Sequence, residues 1–327
     1  VLHVFVNDGG LLTWDKAADT AAGPLPDSAV WLDLLNPTPA ELARVEAMIG
    51  LPLPTREQMA EIEESSRLRI VNGVLSLTVM ALVWADTDEP RLTAVSFLLA
   101  GKRLVTIHDI DPRAFLAFRR KISHSPAALG SGELVMGALV DGLIDRTAAV
   151  LRRAGVALDE LNRRAFRGES PTRRMEAMDD QAALKRIGHT GHLVGRAHIS
   201  LASLIRMLEF LSSNEGWNAR KPTRRWARTA LQDARGLDEY RVFLSSKVAL
   251  LLDSTLGQIN VEQNEIVKIV SILTVLLFPP TLVASVCGMN FTSMPGSDEA
   301  FGYPSALLLM VLSALLPMIF VRLRRWM

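Results

Sequence analysis

Near the end of this 327-residue chain, eight residues spaced three or four apart mix oxygen-bearing and apolar side chains: Asn264, Val267, Val270, Thr274, Phe278, Thr281, Ser285 and Gly288. At about 100° per residue they fall on one stripe of a helix. The stripe carries hydroxyls and an amide, and no carboxylate, histidine or cysteine. Such oxygens accept hydrogen bonds from the water shell of a hydrated cation without stripping it, which suits a hard, slowly dehydrating ion such as Mg²⁺. Tight Zn²⁺ ligation would call for Cys or His. The same hydroxyls also suit helix–helix packing, or bonds to their own backbone, so a pore face and a packing face both stay open on these residues alone.

The stripe ends at Gly288-Met289-Asn290. A helix C-terminus presents unpaired carbonyls and about half a negative charge. Gly288 allows close backbone approach, and Asn290 adds an amide oxygen. Several such ends around one axis would form a ring attractive to cations. Pro279 and Pro280 leave the carbonyls of Val275 and Leu276 without helical donors, which either lines an aqueous path or kinks the helix.

Two uncharged runs position these residues, Ile269 to Cys287 and Phe301 to Val321. Each is long enough as a helix to cross a hydrocarbon core of ~30 Å. They predict a two-span hairpin: a first transmembrane helix over 266–288, a polar turn over 289–302, and a second transmembrane helix with a basic tail over 303–327. The turn holds Asp298 and Glu299 and no Lys or Arg, while Lys268 precedes the first span and Arg322, Arg324 and Arg325 follow the second. The charge bias puts both termini in the cytoplasm and the turn outside, with Trp326 as an interfacial anchor. The opening VLHVFVNDGG lacks the basic flank and apolar core of a signal peptide. One cysteine, Cys287, excludes an internal disulfide framework.

Residues 1–130 read as a cytoplasmic α/β domain, with strands at Val74 to Val83, Ala94 to Leu99 and Arg103 to His108 and a helix over Pro39 to Ile49. Residues 131–222 read as a long-helix hairpin broken at Gly168-Glu169-Ser170-Pro171. Residues 223–265 form a stalk helix that continues into the first span. An unsupported helix of that length is implausible, so the sequence predicts packing against copies of itself.

Other clusters are weaker. His189 and His192 share a helix face with His198 nearby, but no third ligand completes a site. His108-Asp109-Ile110-Asp111 precedes Pro112 and reads as a turn. The basic run Arg220, Lys221, Arg224, Arg225 and Arg228 reads as a solvated helix start, without a nucleic-acid partner. No GxxxxGK phosphate loop is present, so active transport has no visible motor and no enzymatic activity is expected.

The stretch INVEQNEIVKIVSILTVLLFPPTLVASVCGMNF, followed by MP and FGYP, resembles the CorA family of divalent-cation channels, in its bacterial magnesium-transporting branch. The strong match runs from about Leu250 to Met327, and the order of elements fits the rest. The resemblance implies an α+β membrane protein: a funnel-shaped homopentamer in the lipid of the bacterial inner membrane, carrying hydrated Mg²⁺, and also Co²⁺ and Ni²⁺, down the electrochemical gradient. It implies that Asn290 takes the hydrated ion, that Thr281, Thr274 and Asn264 offer polar rings, and that Val267, Val270 and Phe278 form constrictions that close by dewetting. It further implies closure by intracellular Mg²⁺ bound at Asp253, with Asp86 from a neighbouring copy as its positional partner, and no other cofactor. Thr229 and Gln232 stand where some relatives carry further stalk carboxylates. The outer turn reads Met294-Pro295-Gly296, leaving Asp298 and Glu299 to supply an acidic ring. The rival readings are a zinc or cobalt transporter on the same scaffold and a non-transporting, membrane-tethered scaffold.

Overall fold

The computed structural model describes residues 1–20, 23–61, 67–166, 180–213, 221–289 and 302–323. They divide into two units, Val1–Leu252 and Asp253–Met327.

The first unit is built on seven strands: β1 (Leu2–Asp8), β2 (Leu11–Trp14), β3 (Ala29–Leu35), β4 (Leu68–Val71), β5 (Val74–Val83), β6 (Arg91–Ala100) and β7 (Arg103–His108). They form one sheet in the order β2-β1-β3-β7-β6-β5-β4. Every neighbouring pair is antiparallel except the central β3 and β7, which run parallel. The three expected strands are present, β6 being longer than its apolar run. β3 reads AVWLDLL, almost continuously buried, and so lacks the alternation that marks a half-exposed strand.

Both sheet faces are covered. Helices α1 (Lys16–Thr20), α2 (Pro39–Ile49) and α3 (Arg56–Ala60) contribute Ala18, Val45 and Met59 to a core with Leu32, Leu34, Val105 and Ile107. α2 has the predicted bounds because both ends are specified. Thr38 and Glu41 form a reciprocal capping box, Pro39 sits in the first turn, and Gly50 closes the helix at φ +76°. The opposite face packs α4 (Arg113–His124), α5 (Gly132–Phe166), α6 (Asp180–Ser213) and the start of α7 (Lys221–Cys287). Phe97 and Leu104 of the sheet share one core with Leu139, Leu208 and Ala230 of these helices, so the α/β part and the long helices belong to one unit. Gly132 opens α5 against the β6–β7 turn. Its N–H donates to the Lys102 carbonyl at 2.7 Å, and a Cβ there would lie 2.6 Å from the Leu104 nitrogen, so only glycine fits.

A third core joins Val150 and Leu158 of α5, Ile187 and Leu201 of α6, and Leu244 and Leu251 of α7 beneath Leu82 and Ala85 of the β5–β6 hairpin. The second unit holds the remainder of α7 and α8 (Gly302–Leu323). The expected break at Gly168 to Pro171 lies outside the described residues.

Candidate functional site

The stripe residues from Asn264 to Ser285 all lie on α7, which continues as helix through Pro279 and Pro280 to Cys287. Proline has no N–H, so the carbonyls of Val275 and Leu276 lack their helical donors. Each stripe side chain is exposed in the single chain, Val267 at 62% and Phe278 at 65%. Among the described residues, α7 has a window apolar and long enough to cross a membrane, and none of that window is buried within the chain. The expected second span is represented by a shorter apolar run, Pro304–Ile319 of α8. Apolar surface of this extent does not face water in a stable protein; it faces lipid, other helices or both.

The two threonines are oriented. Thr274 Oγ1 donates to the Val270 carbonyl at 2.8 Å and Thr281 Oγ1 donates to the Leu277 carbonyl at 2.7 Å. A hydroxyl whose proton is committed to its own helix presents lone pairs outward. It therefore acts as an acceptor, the polarity needed to meet the outward-pointing hydrogens of a hydrated cation.

The helix closes at Gly288, whose N–H donates to the Ala284 carbonyl at 2.9 Å, and Met289 N–H reaches the Val286 carbonyl at 3.3 Å. A Cβ on Gly288 would come within 3.2 Å of the Ala284 oxygen, so the residue permits a tight end that a side chain would loosen. Asn290, Asp298 and Glu299 lie outside the described residues, as do Trp326 and the basic residues Arg324 and Arg325. Asp253 is an exposed residue of α7.

Asp86 sits in the β5–β6 hairpin under three guanidinia. Arg146 of α5 donates to Asp86 Oδ2 at 2.6 Å, and Arg113 of α4 and Arg153 of α5 also pair with the carboxylate. Its side chain is only 20% exposed. Burial alone would raise the Asp86 carboxyl, but Arg153 and Arg146 hold it below its ordinary value. The sequence reading overlooked these arginines. Arg146 and Arg153 are seven residues apart, two helical turns on one face, which was the available signal.

A second network was also missed. The parallel register sets Asp33 beside Thr106 and Leu35 beside His108, so Asp33, Thr106 and His108 face α4 together. Asp33 Oδ1 accepts from Thr106 Oγ1 at 2.6 Å and lies 2.9 Å from His108 Nε2, while Oδ2 accepts from Arg119 at 2.5 Å. Arg119 also pairs with Asp111, and Trp31 Nε1 donates to Thr106 Oγ1 at 2.9 Å. Asp33, Thr106 and His108 are fully buried. Thus the His108–Asp111 turn anchors a buried ion-pair network. His192 Nε2 accepts from Arg196 Nε at 3.5 Å and His198 faces Asp238 at 3.4 Å. Among the described residues no group of three or more potential ligands could hold a metal ion.

Residues 26–325 match the family model described as CorA-like Mg2+ transporter protein. The chain is 31% identical over 301 residues to the magnesium transport protein CorA of Escherichia coli strain K12, covering 91% of this chain and 92% of that one. Its fold resembles the complete structure of the CorA magnesium transporter from Methanocaldococcus jannaschii, with a TM-score of 0.74 at 17% identity over 100% of this chain and 99% of the other. It also resembles the full-length CmaX protein, with a TM-score of 0.67 at 17% identity over 99% and 97% of the two chains.

Proposed function

We infer, from a chain that belongs to the CorA-like Mg2+ transporter protein family, that it carries hydrated Mg²⁺ across a membrane. The observation that carries this reading is the α7 stripe: fixed acceptor oxygens at Thr274 and Thr281, set between apolar side chains on a helix whose membrane-length window is unburied. We propose that α7 and α8 cross the bacterial inner membrane as a hairpin with both termini in the cytoplasm. Five copies of α7 would surround one pore, giving a funnel-shaped homopentamer. In that assembly Gly288, Met289 and Asn290 form the selective entrance, with Asp298 and Glu299 collecting cations outside. Asn264, Thr274, Thr281 and Ser285 make polar rings, and Val267, Val270 and Phe278 make constrictions that close when they dewet.

No chemical motor is needed. A divalent ion crossing 100 mV, inside negative, gains about 4.6 kcal/mol. Closure by intracellular Mg²⁺ we place at Asp253. Asp86, its expected partner from a neighbouring copy, fits poorly, because three guanidinia already compensate its charge and would have to be displaced.

The test is Mg²⁺ flux into proteoliposomes, run in parallel with Co²⁺, Ni²⁺ and Zn²⁺. Wild type should pass Mg²⁺ and be blocked from outside by cobalt hexammine, a hydrated-ion mimic. Asn290→Ala should assemble normally and lose most of the flux. Flux of Zn²⁺ in preference to Mg²⁺ would favour a zinc transporter, and absence of all flux would favour a tethered scaffold.

A further inference from the structure

A groove of about 720 Å³ runs between α4 and α5, and the transport reading makes no use of it. Its volume lies within the range of small-molecule sites, roughly 300–1,000 Å³. Arg113, Arg120, Lys121 and Arg146 line it, against one lining carboxylate, Asp145. Arg113 and Arg146 also converge with Arg153 on Asp86. The ensemble therefore holds five cationic side chains and two carboxylates, an excess of three positive charges. Asp86 orients the guanidinia of Arg113 and Arg146 without neutralising the cluster. Arg120 and Lys121 make no ion pair among the described residues. Asp141, one turn before Asp145 on α5, accepts from Trp226 of α7 and does not line the groove.

The remaining lining is apolar: Ala114, Leu116, Ala117, Phe118 and Ala138, with Gly142. A cation-rich groove with non-polar walls complements a ligand that joins several negative charges to a flat, non-polar body. Guanidinium forks match phosphate oxygens in pairs, and side-chain carbons cover a base. We propose that the α4–α5 groove binds a nucleoside polyphosphate, its phosphates on Arg113, Arg120, Lys121 and Arg146. The site lies within the first unit and stands whether or not the pore reading holds.

The test is equilibrium dialysis of the full-length protein in detergent against radiolabelled ATP. EDTA is present throughout, so that chelation of Mg²⁺ cannot mimic an effect. ATP should bind saturably. Arg120→Ala with Lys121→Ala, both exposed positions, should weaken binding about tenfold or more. Ala138→Phe should weaken it by filling the groove without changing charge. Arg228→Ala, an exposed arginine on α7, should leave it unchanged, and tripolyphosphate should compete less well than ATP. The proposal is overturned if ATP fails to saturate, or if the groove variants bind like wild type. It is also overturned if Arg228→Ala loses as much affinity as they do. Tripolyphosphate binding as tightly as ATP would reject a nucleotide site.

Discussion

Asp33 is where the interior of the first unit concentrates its charge. Burial would raise its carboxyl, but His108, Arg119 and Thr106 outweigh that and hold it below its ordinary value of 3.8. The network's worth lies in the pairing of Asp33 with Arg119. A carboxylate and a guanidinium taken out of water gain little over apolar packing, yet removing one partner strands the other. Asp33→Asn, which turns an acceptor into a donor in front of Arg119, should therefore cost about 3–5 kcal/mol. It should lower the thermal midpoint of the detergent-solubilised protein well beyond the effect of a surface change. In a cycle of Asp33→Leu, Arg119→Met and the double variant, the double loss should fall short of the sum of the single losses, and a double loss equal to that sum would show that the pair is not coupled. The pH dependence has a definite sign. A carboxyl with a depressed folded-state pKa contributes stability that is present above its unfolded value and lost as pH falls through the folded one. Wild type should thus hold steady above about pH 4 and weaken below it, with a shallower acid limb in Asp33→Leu, Arg119→Met.

The elements differ in how plainly the sequence declares them. α2 carries its limits in Thr38, Glu41 and Gly50, and α7 carries its run in the absence of any proline between Pro222 and Pro279. β5 and β7 show in their β-branched runs. β2, β3 and β4 do not, because β2 and β4 are four residues each and β3 is buried along nearly its whole length. At the site, the α7 stripe is a local pattern, periodic along one helix, and so can be read without a fold. The Asp86 and Asp33 networks depend on pairs 60 and 86 residues apart, as in Arg146 with Asp86 and Arg119 with Asp33. Local periodicity groups Arg146 with Arg153 on one face of α5 but does not name Asp86 as their partner, and it gives no sign of the Asp33 network. The two apolar segments are tested as elements by labelling. In a Cys287→Ser background, a cysteine at Ser297 should react with an impermeant thiol reagent applied to the periplasmic side, and one at Arg324 should not. The opposite pattern would reverse the orientation drawn from Lys268 and Arg322.

Regulation belongs to the scale of the assembly, since one exposed carboxylate on one helix has nothing to sense. If five copies of α7 share an axis, as we propose, Asp253 becomes a ring of like charges that repel one another, and the closed arrangement carries that cost. An intracellular divalent cation offsets the repulsion and favours closure. Its loss shifts the population toward splayed, conducting subunits, by as much as the ion's differential affinity for the two states allows. Thr229 and Gln232 carry no charge, so neither adds to the ring's repulsion. Asp253 lies eleven residues before Asn264, or about 16 Å of helix, and so is separate from the stripe proposed to meet the permeating ion. Asp253→Ala should therefore lower the Mg²⁺ sensitivity of closure, flattening the dependence of flux on internal Mg²⁺, while the ratio of Mg²⁺ to Co²⁺ flux stays as in wild type. Asp86→Asn should leave the Mg²⁺ sensitivity of closure intact, because that carboxylate is committed to Arg113, Arg146 and Arg153 within its own chain. Flux measured against internal Mg²⁺ in the three proteins decides between the two aspartates. Superimposable curves for wild type and Asp253→Ala would remove the stalk carboxylate from the sensor, and a shift confined to Asp86→Asn would place the sensor at the hairpin.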